Sequence, residues 1–213
     1  MKTKRKALLL TFCAVLLVVA SVLGTIAYLT SQDEVKNTFT VGQVAINLDE
    51  AKVTEDGKAV TPAERVKENR YKLLPGHTYT KDPTVTVLSG SESSYIKMTV
   101  TFTKADELDA IFAPNGADLT SIFNGYDAQT WTYQGNTKDT TANTRTYEFW
   151  YKKAVGAPTA DVKLDALFNF ITVPSTINND QLKTIADMTI TVNAYAIQAD
   201  GFTTAEKAWA AFS

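Results

Sequence analysis

The sequence is poor in the residues that build metal centres and disulfides. It holds one cysteine, Cys13, and one histidine, His77, among 213 residues. Cysteine-rich zinc modules and intrachain disulfides are therefore excluded, and any site that relies on histidine has a single candidate. No HExxH zinc motif, GxSxG nucleophile elbow, P-loop or GxGxxG phosphate loop occurs. The sequence therefore predicts no catalytic residue, no metal site and no cofactor.

Acidic residues are absent from the start of the chain. None precedes Asp33, whereas four of the first six residues are basic. An apolar run over residues 7–20, interrupted only by Thr11 and Cys13, follows the basic cluster. This order is typical of an export signal. We predict that the chain is secreted and that residues 1–27 are its signal peptide.

The cleavage site is predicted from two small residues near the end of the apolar segment. Thr25 and Ala27 stand at the −3 and −1 positions that a signal peptidase accepts, so the mature chain begins at Tyr28. The alternative is an uncleaved membrane anchor, because the apolar segment 7–29 is long enough to span ~30 Å of hydrocarbon as a helix. On the first reading, the protein contacts the membrane only before cleavage.

The predicted mature chain is acidic. Loss of residues 1–27 removes four bases and no acid, which leaves 17 basic against 23 acidic residues and a net charge of −6. Nucleic-acid binding needs a basic surface, so no nucleic-acid partner is expected.

Threonine and aromatic residues are frequent in the chain as a whole. There are 31 threonines and 22 aromatic residues, types that favour β-strands. Apolar residues alternate with polar ones around residues 44–48, 84–88, 96–103 and 188–196, and Gly-containing turns separate these runs. We predict an all-β fold, a jelly-roll-like β-sandwich with a few short helices and a C-terminal helix, as a single domain over residues 42–213. Its predicted core includes Val44, Ile46, Ile96, Met98, Val100, Phe102, Ile190 and Val192.

Five segments have helical spacing or a helix-start pattern. They are residues 105–112, 118–123, 161–168, 179–186 and 203–212, and the last begins with Thr203 and Glu206 placed as in a capping box. This last helix is expected to seal one edge of the sandwich. The polar segment 135–145 is expected to form a long hairpin loop.

Three groups of residues are candidates for binding. His77 is interpreted as an exposed turn residue rather than a zinc ligand. The oxygen-rich pairs at 56–57 and 178–180 are typical of turns and helix caps, with calcium binding as the alternative. Five aromatic residues around one hairpin are interpreted as core packing, with a carbohydrate-stacking platform as the alternative. These are Trp131, Tyr133, Tyr147, Trp150 and Tyr151.

Motifs at both ends of the chain resemble those of a known family. Segments 24–30 and 37–42 place Tyr28, Phe39 and Gly42 where substrates of SipW-type signal peptidases carry an aromatic residue and a Phe-x-x-Gly motif. Segment 74–76, which leads into two strands, and segment 194–202 followed by Ala208 and Trp209 are similar to the centre and end of the same proteins. The chain thus resembles the TasA/camelysin family of exported proteins.

The resemblance implies a structural function and one named partner. It implies export through a SipW-type signal peptidase, a jelly-roll domain at the surface or in the biofilm matrix of a Gram-positive bacterium, and self-association into fibres. In such fibres the free N-terminal segment of one subunit inserts as a strand into the next, so residues 28–41 are a candidate donor strand. Its expected anchors are Tyr28, Leu29, Val35 and Phe39. A camelysin-like surface metalloendopeptidase is the alternative, although the sequence lacks a zinc motif, and a monomeric surface adhesin is a third possibility.

Overall fold

The computed structural model describes residues 2–29, 42–112 and 123–212. Chain contacts divide the protein into two units, Met1–Val41 and Gly42–Ser213, and each is described by itself. The first unit contains helix α1 (Lys2–Leu29), whose described side chains, residues 3–19, are exposed. Across the described ranges, no helix combines the length and the apolar character needed to cross a membrane.

The described part of the second unit is built mainly of strands. Its strands are β1 (Ile46–Ala51), β2 (Arg65–Val66), β3 (Thr78–Thr80), β4 (Thr84–Val87), β5 (Ser94–Thr103), β6 (Phe123–Asn124), β7 (Trp131–Asp139), β8 (Thr144–Tyr151), β9 (Val162–Lys163), β10 (Phe170–Thr172) and β11 (Ile190–Gln198). Its helices are α2 (Ala105–Phe112), α3 (Asn179–Thr184) and α4 (Ala205–Ala211).

The strands form three antiparallel sheets. The first has the order β2-β1-β4-β9, the second β3-β10-β6 and the third β11-β5-β8-β7. Most neighbours are distant in sequence, because β1 pairs with β4 and β5 lies between β8 and β11. Long crossover connections of this kind are typical of Greek-key and jelly-roll sandwiches. The predicted all-β sandwich with a few short helices and a C-terminal helix is confirmed.

Strand β5 shows why the alternating pattern specifies this fold. Every second residue from Ser94 onward is buried and every other one is partly exposed along all ten residues. Ile96, Met98 and Val100 are fully buried, as predicted, and Phe102 is 3% exposed. A strand of period two places one set of side chains in the core and the other at the surface.

The buried core cluster includes residues of β4, β5 and β8 and of the irregular segment 164–168. Phe123 stacks on Phe168 with ring centres 4.6 Å apart, and Tyr147 meets the Phe123 ring edge-on at 5.4 Å. Trp131 is fully buried and its indole N–H donates to the Asp165 carbonyl at 3.2 Å. Aromatic burial of this kind dominates core stability.

The predicted helices are partly confirmed. Residues 105–112 form α2, and α3 occupies the first six residues of the predicted segment 179–186. The helix predicted at 161–168 is wrong, because β9 begins at Val162 and no described helix follows it there. Leu164, Leu167 and Phe168 have helical spacing, yet all three reach the core from an irregular segment. Of the predicted segment 118–123, Phe123 belongs to β6, and the rest lies outside the described residues.

Two further expectations about local structure are corrected. Strands β7 and β8 pair as far as Asp139 and Thr144, so the loop expected over 135–145 shrinks to four residues. Helix α4 is capped by Thr204, whose side chain accepts from the Lys207 backbone N–H, rather than by Thr203. The helix also packs on the outer face of the third sheet, through Trp209, rather than only along its edge.

Four predicted core residues are only half-buried. Val44 and Ile46 precede or open β1, while Ile190 and Val192 lie on β11. All but Val44 pack against the core cluster from its margin. The prediction that these side chains point into the shared core is confirmed for Ile46, Ile190 and Val192, which pack at its margin, but not for Val44. Ile190 and Val192 are only half-buried because a groove opens between β11 and β1.

Candidate functional site

A groove lies between the first and third sheets of the second unit. Its volume is about 1070 Å³. One wall is formed by β1 and by the segment between β2 and β3, and the other by α3, β11 and the turn that joins them. Ile171 on β10 lies at its base and is 7% exposed.

The lining of the groove is mixed, with aliphatic and aromatic side chains beside several charged ones. Leu48 comes from β1, Leu182 from α3, and Ile190 and Val192 from β11. These four side chains are half-buried and would become covered if a chain entered the groove. Burial of apolar surface stabilises an association by ~25 cal/mol per Å². The groove can therefore hold an apolar or amphipathic segment.

Two strand edges border this groove. Strand β11 pairs with β5 over all of Ile190–Gln198, and no other strand in the described ranges pairs with its opposite edge. Strand β1 pairs with β4 on one side, and on the other side β2 covers only Glu50 and Ala51. Unpaired strand edges present backbone N–H and C=O groups that can accept a further strand.

The wall of the groove near β1 is polar and tightly connected. Lys81 and Glu50 form a buried ion pair with 2.6 Å between Nζ and Oε2, and their side chains are 7% and 9% exposed. Arg65 bridges two carboxylates: its Nε lies 2.7 Å from Asp49 Oδ1, and its Nη1 lies 2.5 Å from Asp82 Oδ2. Burial acts to lower the pKa of Arg65, but hydrogen bonds and charge attraction from both carboxylates outweigh it and raise the pKa. The guanidinium therefore stays charged and fixes the start of β2 against β1.

The predicted processing and donor-strand residues fall in the first unit. Thr25, Ala27, Tyr28 and Leu29 all belong to the last turns of α1. Val35 and Phe39 lie outside the described residues. Cleavage after Ala27 and the donor-strand role of residues 28–41 remain predictions.

His77 lies in the exposed turn before β3. Its backbone N–H donates to the Leu74 carbonyl at 3.3 Å, and its ring centre lies 6.2 Å from that of Tyr79. Within the described ranges, no three His, Cys, Asp or Glu side chains lie close enough together to hold a metal ion. The geometry around His77 is that of a turn residue.

Both oxygen-rich segments have ordinary structural functions. Asn178 caps α3 in a capping box, since its side chain accepts from the Gln181 N–H at 2.9 Å and the Gln181 side chain accepts from its N–H at 3.0 Å. Asp180 pairs with Lys183 one turn further on. Gly57 adopts a φ of 77° in a tight turn against the Tyr79 side chain, where a larger residue would collide.

The aromatic hairpin faces mainly inward. Trp131 and Tyr147 are 0% and 1% exposed, and Tyr133 and Tyr151 pack against the core from its margin. The core-packing interpretation is confirmed for these four residues. Trp150 points to the outer face of the third sheet, where its indole N–H donates to Glu148 at 2.6 Å.

Sequence reasoning missed the groove and its polar wall. Glu50, Asn69 and Lys81 are separated by 19 and 12 positions, and the pairing of β1 with β2 and β4 brings them together. One weak signal was available, since Glu50 continues the alternation of Val44, Ile46 and Leu48 at a position where an apolar residue is expected.

No family model, no curated protein and no solved structure matches this chain.

Proposed function

We propose that this protein is a secreted structural protein of the cell surface or biofilm matrix that assembles into fibres by exchange of an N-terminal strand. The donor is the segment 28–41 of one copy, and the acceptor is the groove between β1 and β11 of the next. The observation that carries the proposal is an edge of β11 that pairs with no strand of the described ranges, beside a groove of about 1070 Å³ whose lining includes half-buried apolar side chains.

The length of the donor segment suits this acceptor. Fourteen extended residues reach ~46 Å, and the nine residues of β11 reach ~30 Å. Backbone hydrogen bonds to this edge of β11 supply affinity, while alternate side chains enter the groove and set the register.

The pattern of the donor segment gives one face that is richer in apolar residues than the other. In an extended chain, Leu29, Val35 and Phe39 share this face with Asp33, and Gln32 and Lys36 share the other. Tyr28 falls on the polar side of this alternation and anchors the strand only at its end. The segment contains no proline or glycine, which weaken strand pairing.

The exchange is head-to-tail and therefore open-ended. Each subunit uses two different surfaces, a donor segment and a groove, so binding one neighbour leaves the other surface free. Contacts of this type propagate as filaments unless the rotation between neighbours closes a ring. Removal of residues 1–27 frees the donor segment and confines assembly to exported protein.

Deletion of the donor tests the proposal. Protein that begins at Tyr28 is expected to form filaments visible by electron microscopy, and a variant that begins at Thr38 is expected to remain a folded monomer. Val35→Glu should prevent assembly because it places a charge beside the apolar side chains of the groove, whereas Gln32→Glu, on the opposite face, should not. Filaments of unchanged morphology from the shortened chain would contradict strand exchange.

A further inference from the structure

We propose that Lys81 and Asn69 form an intramolecular amide cross-link, with Glu50 as the proton-transfer residue. The observation is a triad in which one carboxylate binds both reactive groups. Glu50 and Lys81 are buried, and Asn69 is half-buried. Glu50 Oε2 accepts from Lys81 Nζ at 2.6 Å, and Glu50 Oε1 accepts from Asn69 Nδ2 at 2.9 Å. The inference does not depend on fibre formation.

Burial prepares the amine for reaction. Lys81 is 6% exposed and Glu50 is 7% exposed, so neither charge is well solvated. Transfer of a proton from the ammonium to the carboxylate gives a neutral amine and a neutral acid, which an apolar environment tolerates better than separated charges. A neutral lysine amine is a nucleophile, as in enzymes that desolvate a lysine.

The carboxamide of Asn69 is held and polarised. Its Oδ1 accepts from the Val53 backbone N–H at 3.0 Å, and its Nδ2 also donates to the Ala51 carbonyl at 2.8 Å. The Val53 N–H therefore points at the oxygen on which negative charge develops when the carbonyl carbon is attacked. A fixed backbone donor at that position stabilises a tetrahedral intermediate.

One aromatic ring lies beside the triad. The Lys81 ammonium lies 5.9 Å from the centre of the Tyr71 ring. Burial, and next the negative charge of Glu50, raise the pKa of the Tyr71 phenol well above its usual value, although a hydrogen bond with Asn69 opposes this. Tyr71 is therefore neutral at physiological pH and does not supply the base.

The reaction conserves atoms and needs no oxidant or cofactor. Glu50 takes a proton from Lys81, and the free amine attacks Cγ of Asn69 to form a C–N bond. Glu50 then gives its proton to Nδ2 and takes the remaining surplus proton from Nζ. The bond from Cγ to Nδ2 breaks and ammonia leaves, carrying away the proton as ammonium. A lysine ammonium and a carboxamide thus become a secondary amide and one ammonium ion.

The cross-link would connect two parts of the groove wall. Asn69 lies between β2 and β3, and Lys81 lies between β3 and β4. The bond would close a loop that contains Tyr71, Leu73 and Tyr79, three residues that line the groove. Closing such a loop restricts the unfolded chain and holds the groove wall in place, as disulfides do in other exported proteins.

Peptide mass spectrometry of the full chain after trypsin digestion tests the proposal. We expect residues 68–70 joined to residues 73–97, uncleaved at Lys81, with a mass about 17 Da below the sum of the two peptides because one ammonia is lost. This readout does not depend on where the N-terminus is processed. Separate peptides 68–70, 73–81 and 82–97 from the wild-type protein would overturn the proposal.

Matched variants test the assigned residues. Lys81→Arg keeps the positive charge beside Glu50 and should abolish the linked peptide, as should Glu50→Gln. The control is Glu64→Gln, which removes the negative charge of an exposed ion pair in which Lys52 Nζ lies 2.7 Å from Glu64 Oε2. This variant should leave the linked peptide unchanged. Persistence of the link in folded Glu50→Gln protein would overturn the function assigned to Glu50.

Discussion

The Lys97 ammonium lies 4.7 Å from the centre of the Trp209 ring, which joins the C-terminal helix to the outer face of the third sheet. Tyr195 and Phe212 place their ring centres 5.6 and 5.4 Å from the same nitrogen, and Glu148 approaches it to 3.6 Å. The Lys97 side chain is only 14% exposed. An outward-facing lysine thus contributes to the packing of α4.

Loss of the Lys97 charge is predicted to destabilise the fold. Lys97→Met keeps the aliphatic stem and should lower the free energy of unfolding by about 1–2 kcal/mol, because a desolvated cation over aromatic rings is lost. Urea denaturation followed by tryptophan fluorescence measures this. The control, Lys153→Met at an exposed position, should change stability by about 0.5 kcal/mol or less. A Lys97→Met protein as stable as wild type would show that α4 packs without the cation.

The local sequence pattern around Lys97 does not reveal this contribution to stability. Alternation along β5 places Ile96 inward and Lys97 outward, which is correct, and an outward lysine is normally dispensable. The aromatic residues that surround Lys97 come from β11, from α4 and from the C-cap of α4, about 100 positions later in the chain. Local periodicity specifies the face on which a side chain lies, but it does not identify the residues that cover that face.

Truncation of Ile96 is predicted to destabilise the core strongly. Ile96 is fully buried on β5, so Ile96→Ala should cost about 2–5 kcal/mol through lost burial and the cavity left behind. Thr99→Ser removes one methyl group from the opposite face of the same strand and should cost about 0.5 kcal/mol or less. Similar midpoints of urea denaturation for both variants would mean that the residues of β5 assigned to the core and to the surface are wrong.

Asp109 is predicted to make the stability depend on acid pH. Burial acts to raise the pKa of its carboxyl, but hydrogen bonds from Arg145 and Lys138 outweigh this and lower the pKa below its usual value. An aspartate whose folded pKa lies below the unfolded value of about 3.9 stabilises the fold above that pH. This contribution is lost as the pH falls through the folded pKa.

Asp109→Asn tests this dependence. The variant should be less stable than wild type at neutral pH, and the difference should shrink when urea denaturation is repeated at decreasing pH below about 4. Asp200→Asn, a change at an exposed position, is the control and should follow the wild-type curve. A constant difference between Asp109→Asn and wild type at every pH would exclude titration of Asp109 as the cause.

Processing after Ala27 is predicted to define the mature N-terminus. Amino-terminal sequencing of secreted protein should begin at Tyr28, because Thr25 and Ala27 are the last suitable small pair before the polar segment. Ala27→Phe should block cleavage and leave the apolar segment attached to the protein. Secreted protein that begins well before or after Tyr28 would contradict this site.

Elements set by interactions between residues close in sequence were predictable, and elements set by contacts between distant residues were not. Strands β4 and β5 and helix α2 follow from local periodicity and were found. The helix predicted at 161–168 was wrong because Leu167 and Phe168 are buried by contacts with distant strands, and tertiary contacts overrode helical spacing. The groove could not be predicted, since it arises from the relative placement of β1 and β11, which no local pattern encodes.

The most direct test of strand exchange is a mixing experiment with two complementary variants. One variant begins at Thr38 and lacks the donor, and the other carries Val192→Glu in the groove, with Ile190→Glu as a second choice if the first fails to fold. Each alone should remain monomeric in sedimentation velocity. Their mixture should form a 1:1 dimer that grows no further, because only one donor and one acceptor remain. Absence of the dimer, or filaments from either variant alone, would contradict the proposed assembly.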